Sequence, residues 1–173
     1  MNVRLATDSD LPAISRIHLD AFGPDEGSEI VELVAALLRD ETAEPVLSLV
    51  AESGVELTGH ALFTAVWLDT SDENAVASIL APLGVSPSFQ RQGVGGLLVD
   101  RGLSMLAERG VDLVFVLGHP TYYPRFGFRP AGRLGFDAPY PIPEKNAEAW
   151  MVTELSAGAV ERFAGTVVCA SSL

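Results

Sequence analysis

Cysteine and lysine each occur once in this 173-residue chain, at Cys169 and Lys145. A single cysteine excludes an intramolecular disulfide and a cysteine-built metal cluster, so no metal is expected. Cys169, in a late β-type segment, reads as a small buried apolar side chain. No apolar run is long enough to span a bilayer, which argues against a membrane role. The opening MNVRLATDSDLP lacks the apolar stretch of a signal peptide, so a cytoplasmic protein is the expectation. Basic side chains are scarce throughout, 11 against 23 acidic, and the net charge of −12 argues against nucleic acid as a partner. Hydrophobic residues make up 48% of the chain, the composition of a packed protein. The length suits one domain over residues 1–173 with a core of its own.

The charge is unevenly spread. Residues 1–90 hold three basic and fifteen acidic side chains, and residues 134–173 hold two and five. Between them, residues 91–133 carry six arginines against Asp100, Glu108 and Asp112. An anionic ligand fits that one positive segment, and the acidic remainder favours a cationic second substrate.

Hydrophobic periodicity gives a coarse map. VRLA reads as a short strand, and TDSDLPAISRIHLDAF as a helix opened by Thr7 and Asp10 in capping-box spacing. GPDEG is expected to break the chain before a second helix, SEIVELVAALLRD. VLSLVAE and VELTGHALFTAVWLD read as a hairpin, TSDEN as a loop, and AVASILAPLGV as a strand interrupted by Pro82. Val94 to Arg109 is helical in period and ends at Gly110. VDLVFVLG is uniformly apolar, as buried parallel strands are. AWMVTELS and GTVVCASS close the chain as strands, giving one α/β domain with a mixed sheet flanked by helices. His18 and His60, on a helix and a strand, read as structural.

The chemistry concentrates in LAPLGVSPSFQRQGVGGLLVDRG, residues 80–102, where Gly93, Gly95 and Gly96 open a helix. Helix-initial amides lack intrahelical partners and lie at the positive end of the dipole, and glycine lets an anion approach them closely. A P-loop would need a lysine here, and a dinucleotide fingerprint would need a third glycine where Leu98 stands. Both readings fail. QRQGVG instead matches [RQ]-x-x-G-x-[GA], the acetyl-CoA signature. With the strand LAPLGV before it, the apolar strand after it, and Tyr123 four residues ahead of Gly127-Phe128, the chain resembles the GNAT superfamily of acyl-CoA-dependent N-acyltransferases. The wording LAPLGV, LGHP and YYPRFGF looks most like its YhbS-like branch of N-acetyltransferases.

The resemblance implies a mixed, mostly antiparallel central sheet with a splayed parallel strand pair, flanked by helices. It implies acetyl-CoA as co-substrate, its pyrophosphate on the amides of Gln92, Gly93, Val94, Gly95 and Gly96, with Gln90 and Arg91 at the rim. Pro82, unable to donate to a ladder, fits the bulged strand of that family, whose free groups at Leu83, Gly84 and Val85 would pair with pantetheine. One freed amide would also face the oxyanion. Tyr123 would protonate the leaving thiolate, with Tyr122 packing on the core as its structural neighbour and Phe126 and Phe128 also in the core.

Pro120 and Pro124 hold the segment before Tyr123 to about a turn, leaving His119 at the strand exit as a cofactor contact, a base, or a loop residue. No carboxylate stands in residues 75–85 to act as base; Asp69, Asp72, Glu73, Asp25, Glu26 and Glu29 lie nearby in sequence. The expected activity is acetyl transfer to a primary amine by direct attack, from a small molecule, peptide or protein acceptor shaped in part by PYPIPEKNAEAW. A homodimer is compatible with this reading, and a non-catalytic acyl-CoA-binding module on the same fold is the alternative.

Overall fold

A computed structural model describes residues 1–70 and 72–173. The loop expected at TSDEN includes Ser71, which lies outside the described residues. The elements are β1 (Asn2–Leu5), α1 (Leu11–Leu37), β2 (Leu47–Ser53), β3 (Glu56–Asp69), β4 (Ala77–Val85), α2 (Val94–Glu108), β5 (Leu113–Leu117), β6 (Arg129–Pro130), β7 (Phe136–Asp137), β8 (Trp150–Glu154), α3 (Ala159–Arg162) and β9 (Gly165–Val168). The main sheet runs β1-β2-β3-β4-β5-β8-β6, and the end of β3 continues into β9 and β7. Pairing is antiparallel except at β4–β5 and at the two-residue β7–β9 contact. This is the mixed, mostly antiparallel sheet expected of the sequence.

Side chains alternate between the two faces of each strand, and the core divides accordingly. Leu47, Leu49, Ala61, Phe63, Leu80, Val114 and Val116 point toward α2 and meet Val94, Leu98 and Leu106. On the other face, Val50 and Leu62 pack under Ile14, Val34 and Leu37 of α1. Ile79, Leu113 and Phe115 pack under Phe136, Trp150 and Phe163 of the tail. Trp150 closes that second cluster by stacking on Phe115 and donating its indole N–H to the Phe136 carbonyl at 2.9 Å.

Two glycines set helix positions by close approach. A Cβ on Gly102 would lie 2.3 Å from the Phe63 ring, so α2 rides directly on that side chain. In α1 the break is narrower than GPDEG suggested: only Gly23, at φ 84°, leaves helical geometry, and Pro24 starts the second half. A proline lacks the N–H that a helix start leaves unpaired, so Asp25 and Glu26 stay helical rather than forming a loop. At the head of α1, the Asp10 carboxylate accepts the Thr7 N–H at 2.8 Å and two bonds from the Arg4 guanidinium at 2.8 and 3.0 Å. Those bonds hold its carboxyl well below the usual carboxylate range.

Candidate active site

The site starts at a defect in β4. Between the pairs Ala61↔Leu83 and Phe63↔Leu80, β3 advances two residues and β4 three, so the extra residue falls at Ala81–Pro82. Proline cannot donate to a ladder, and a bulge is where a strand can hold one. Parallel pairing with β5 ends just before, at Leu80↔Val116. Beyond the bulge, Leu83, Gly84 and Val85 still pair with β3, but β5 has turned away toward Gly118 and His119. A wedge opens between the two strands.

A cavity of about 840 Å³ occupies the wedge, in the size range of small-molecule sites. Leu83, Gly84 and Val85 line it, together with Gln90, Arg91, Gly93, Val94, Gly95 and Gly96 and with Tyr122 and Tyr123. Nine of the ten residues expected from the sequence to bind the cofactor therefore share one cavity, and Tyr123 faces it too. Gln92 is the exception: it does not line the cavity, because its side chain turns back to donate to the Ser88 carbonyl at 2.9 Å.

The floor at the glycine end is the start of α2. Gly93 takes the left-handed conformation, φ 85°, that ends the preceding turn, and Arg91 also has positive φ, 60°. For Arg91 that conformation costs energy, which the surrounding turn must hold. Leu97 is the first residue to bond back into the helix, to the Gly93 carbonyl at 3.0 Å. The amides of Val94, Gly95 and Gly96 precede it and lie in the cavity wall, the arrangement that accepts an anion. Gln90 fixes the turn to the strand by donating to the Val85 carbonyl at 3.0 Å.

Tyr122 packs against the core as expected, but its hydroxyl reaches further. A Cβ on Gly95 would stand 2.7 Å from the Tyr122 hydroxyl, so that oxygen sits at the helix start while the ring packs on the core. Arg125 lies over the Tyr122 ring, 4.5 Å from its centroid, and its Nε donates to the Tyr122 carbonyl at 2.9 Å. Arg125 and Arg91 are the two cations of the lining among the described residues, and Phe126 packs half-buried against the core, as expected, while also lining the cavity. Only the concentration of arginine in residues 91–133 hinted at Arg125.

Tyr123 is buried against Phe128, and its ring passes so close to Gly118 that a Cβ there would meet it at 2.3 Å. Burial first, and then the neighbouring Tyr122, push its hydroxyl up to about 12. Residues 120–122 form a turn that leads into a 3-10 turn at Tyr123–Phe126 with Pro124 inside it, so the segment stays short.

Among the described residues no carboxylate lines the cavity; Asp25, Glu26, Glu29, Asp69, Asp72 and Glu73 are not in its lining. His119 is exposed at the mouth, where it also borders a second pocket of about 300 Å³ formed with Leu117, Tyr140, Pro141 and Ile142. Part of PYPIPEKNAEAW thus adjoins the main cavity. Among the described residues no group of His, Cys, Asp and Glu is placed to hold a metal, and no helix is long and apolar enough to cross a membrane.

Residues 2–131 match the family model described as an acetyltransferase (GNAT) domain. An Escherichia coli K12 protein named as an uncharacterized N-acetyltransferase, YjhQ, is 46% identical over 150 residues, covering 86% of this chain and 81% of its own. Among solved structures, Escherichia coli YhbS in complex with CoA superposes with a TM-score of 0.86 at 28% identity, covering 99% of this chain and 90% of that one. A GNAT family acetyltransferase from Brucella melitensis in complex with acetyl-CoA gives 0.77 at 25% identity, covering 99% and 96%.

Proposed function

This chain belongs to the GNAT acetyltransferase family, and from that premise we propose that it moves an acetyl group from acetyl-CoA to a primary amine by direct attack. The single observation that carries the cofactor assignment is the wedge itself. One cavity joins helix-initial amides at Gly95 and Gly96 to an unpaired strand edge at Leu83–Val85, and a side chain at Gly95 would collide with the Tyr122 hydroxyl in its wall. An anionic head and an extended amide-bearing arm are what those two surfaces recognise. Coenzyme A has both, and the relatives from Escherichia coli and Brucella melitensis are bound to CoA and acetyl-CoA.

In this reading the pyrophosphate rests on the amides of Val94, Gly95 and Gly96, with Arg91 and Arg125 neutralising its charge and the Tyr122 hydroxyl at its side. Pantetheine adds to the β4 edge at Leu83–Val85 as a strand would. The thioester then lies near the bulge, where a backbone N–H freed from the ladder polarises its carbonyl. Tyr123 faces the leaving sulfur. With its proton held up to about 12, it serves as a hydrogen-bond donor to the sulfur as negative charge develops, and full transfer comes late. The acceptor enters past His119 and the Tyr140–Ile142 segment, and the acidic first half of the chain favours a cationic one.

Thiol release from acetyl-CoA, followed over a panel of primary amines, tests the activity. Tyr123→Phe is expected to cut turnover several-fold without weakening acetyl-CoA binding. Equal rates in the variant and wild type at every pH would remove Tyr123 from the mechanism. Binding with no turnover on any amine would favour a non-catalytic acyl-CoA-binding module.

A further inference from the structure

His18 and His60 form a buried pair directly behind the cavity wall. His60, on β3, stands opposite Gly84 in the β3–β4 ladder, so both present their side-chain positions to the α1 face. His18, on α1, covers them, its Nε2 2.8 Å from His60 Nδ1. His60 Nε2 in turn lies 2.9 Å from the Ser48 hydroxyl, which is only half-buried. The remaining ring nitrogen, His18 Nδ1, is buried with no hydrogen-bond partner. It lies 2.6 Å from where a Cβ on Gly84 would be, and the ring stacks on Phe22 with centroids 5.9 Å apart. Gly84 and Phe22 both line the cavity.

The orphaned atom fixes the proton positions. A buried N–H without an acceptor is rare and costly, so Nδ1 carries the lone pair and His18 is protonated at Nε2. His18 then donates from Nε2 to His60 Nδ1, and His60 donates from Nε2 to Ser48 Oγ. The row runs from a bare lone pair behind Gly84 and Phe22 of the cavity wall to a hydroxyl near the surface.

Resting on the acetyl-transfer reading, we propose that His18 takes the proton of the acceptor amine at the Gly84–Phe22 wall, and that His60 and Ser48 carry it out. The amine nitrogen bonds to the thioester carbonyl carbon and the C–S bond breaks. The amine's proton goes to His18 Nδ1, the Nε2 proton of His18 to His60 Nδ1, and that of His60 to Ser48 Oγ, whose own proton leaves to solvent. The departing sulfur draws its proton from Tyr123, which recovers one from solvent. Burial keeps His18 at about 4 and His60 at about 3, so neither ring stores charge and each passes one proton in for one out. Nδ1 exposes no surface as it stands, so the relay requires the half-buried Phe22 ring to swing aside when the amine binds. The relay supplies a proton acceptor to a cavity that has no carboxylate.

Two readouts test it on the full chain. Long-range ¹H–¹⁵N NMR should show His18 protonated at Nε2 alone, with its Nδ1 signal moving when acetyl-CoA is added. A proton on Nδ1, or an unmoved signal at saturating acetyl-CoA, overturns the proposal. In steady-state acetylation of spermidine, His18→Gln and His60→Gln should lower kcat about 100-fold, within the usual span of acid–base contributions, and leave KM for acetyl-CoA within twofold. Ser48→Ala should abolish the curvature of the wild-type proton inventory. Wild-type kcat in His60→Gln, or a comparable loss only in His119→Gln, refutes the relay. Loss of acetyl-CoA binding by the wild-type protein is a different failure, that of the cofactor reading, and binding without turnover of spermidine or of any amine in the panel removes the relay together with the transferase activity.

Discussion

Acid should destabilise this protein well above the pH at which its carboxylates titrate, and the His18–His60 pair sets the amount. Both rings are buried and neutral, held at about 4 and about 3, whereas a histidine in the unfolded chain titrates near 6.5. A folded-state pKa below the unfolded value means that the unfolded chain binds more protons, so stability falls as pH drops below 6.5 and stops falling only near the folded values. Between pH 7 and pH 5 each ring contributes a loss of about 2 kcal/mol, or about 4 kcal/mol together. That is a large share of the 5–15 kcal/mol of an ordinary domain.

The charged group facing the pair is Asp10, which favours the protonated form of His60 but is itself engaged by Arg4. Asp10 is held below its ordinary value, so its contribution is complete above about pH 4 and is lost only as pH falls through the carboxylate range, outside this window. Urea unfolding at pH 7 and pH 5 measures the loss, with the H18Q/H60Q double variant as reference. The variant starts from lower stability at pH 7 but should lose about 4 kcal/mol less than wild type on acidification, at unchanged m-value. Equal losses in the two proteins would show that the pair is not buried and neutral, and would refute the reasoning.

Two other substitutions separate stability from binding. Gly102→Ala forces a methyl to within 2.3 Å of the fully buried Phe63 ring, and should cost about 1–3 kcal/mol in urea unfolding. Arg125→Ala removes one of the two cations in the cavity lining and should weaken CoA binding about tenfold by calorimetry, with little effect on the melting temperature of the free protein.

What could be read from the sequence was local. Pro82 announced a bulge because proline is barred from a regular central strand, and Gly93 to Gly96 announced an open helix start. Tyr123 is singled out by its spacing to Gly127 and Phe128, and it lines the cavity. The break in α1 is narrower than the polar run GPDEG suggests, confined to Gly23, because a helix start with proline at its head accommodates Asp25 and Glu26. Arg125 and Tyr122 owe their places to the fold of a 3-10 turn against Gly95, a contact between segments that no periodicity encodes. His18 and His60, 42 residues apart, each look like an isolated core histidine until β3 and α1 are brought together over Gly84. Two-residue strands such as β6 and β7 leave no pattern long enough to detect.

The central claim is that the turn at Gly93–Gly96 is a coenzyme A pyrophosphate site, and a thermal-unfolding titration with acetyl-CoA tests it most directly, with ATP and NAD as controls. A ligand at a hundred times its dissociation constant adds about 2.7 kcal/mol, a rise of roughly 5–10 °C for a chain of this size. A rise of that order with acetyl-CoA and none with ATP or NAD is the predicted result. No rise at millimolar acetyl-CoA in a folded sample would contradict the account, and the transferase reading would fall with it.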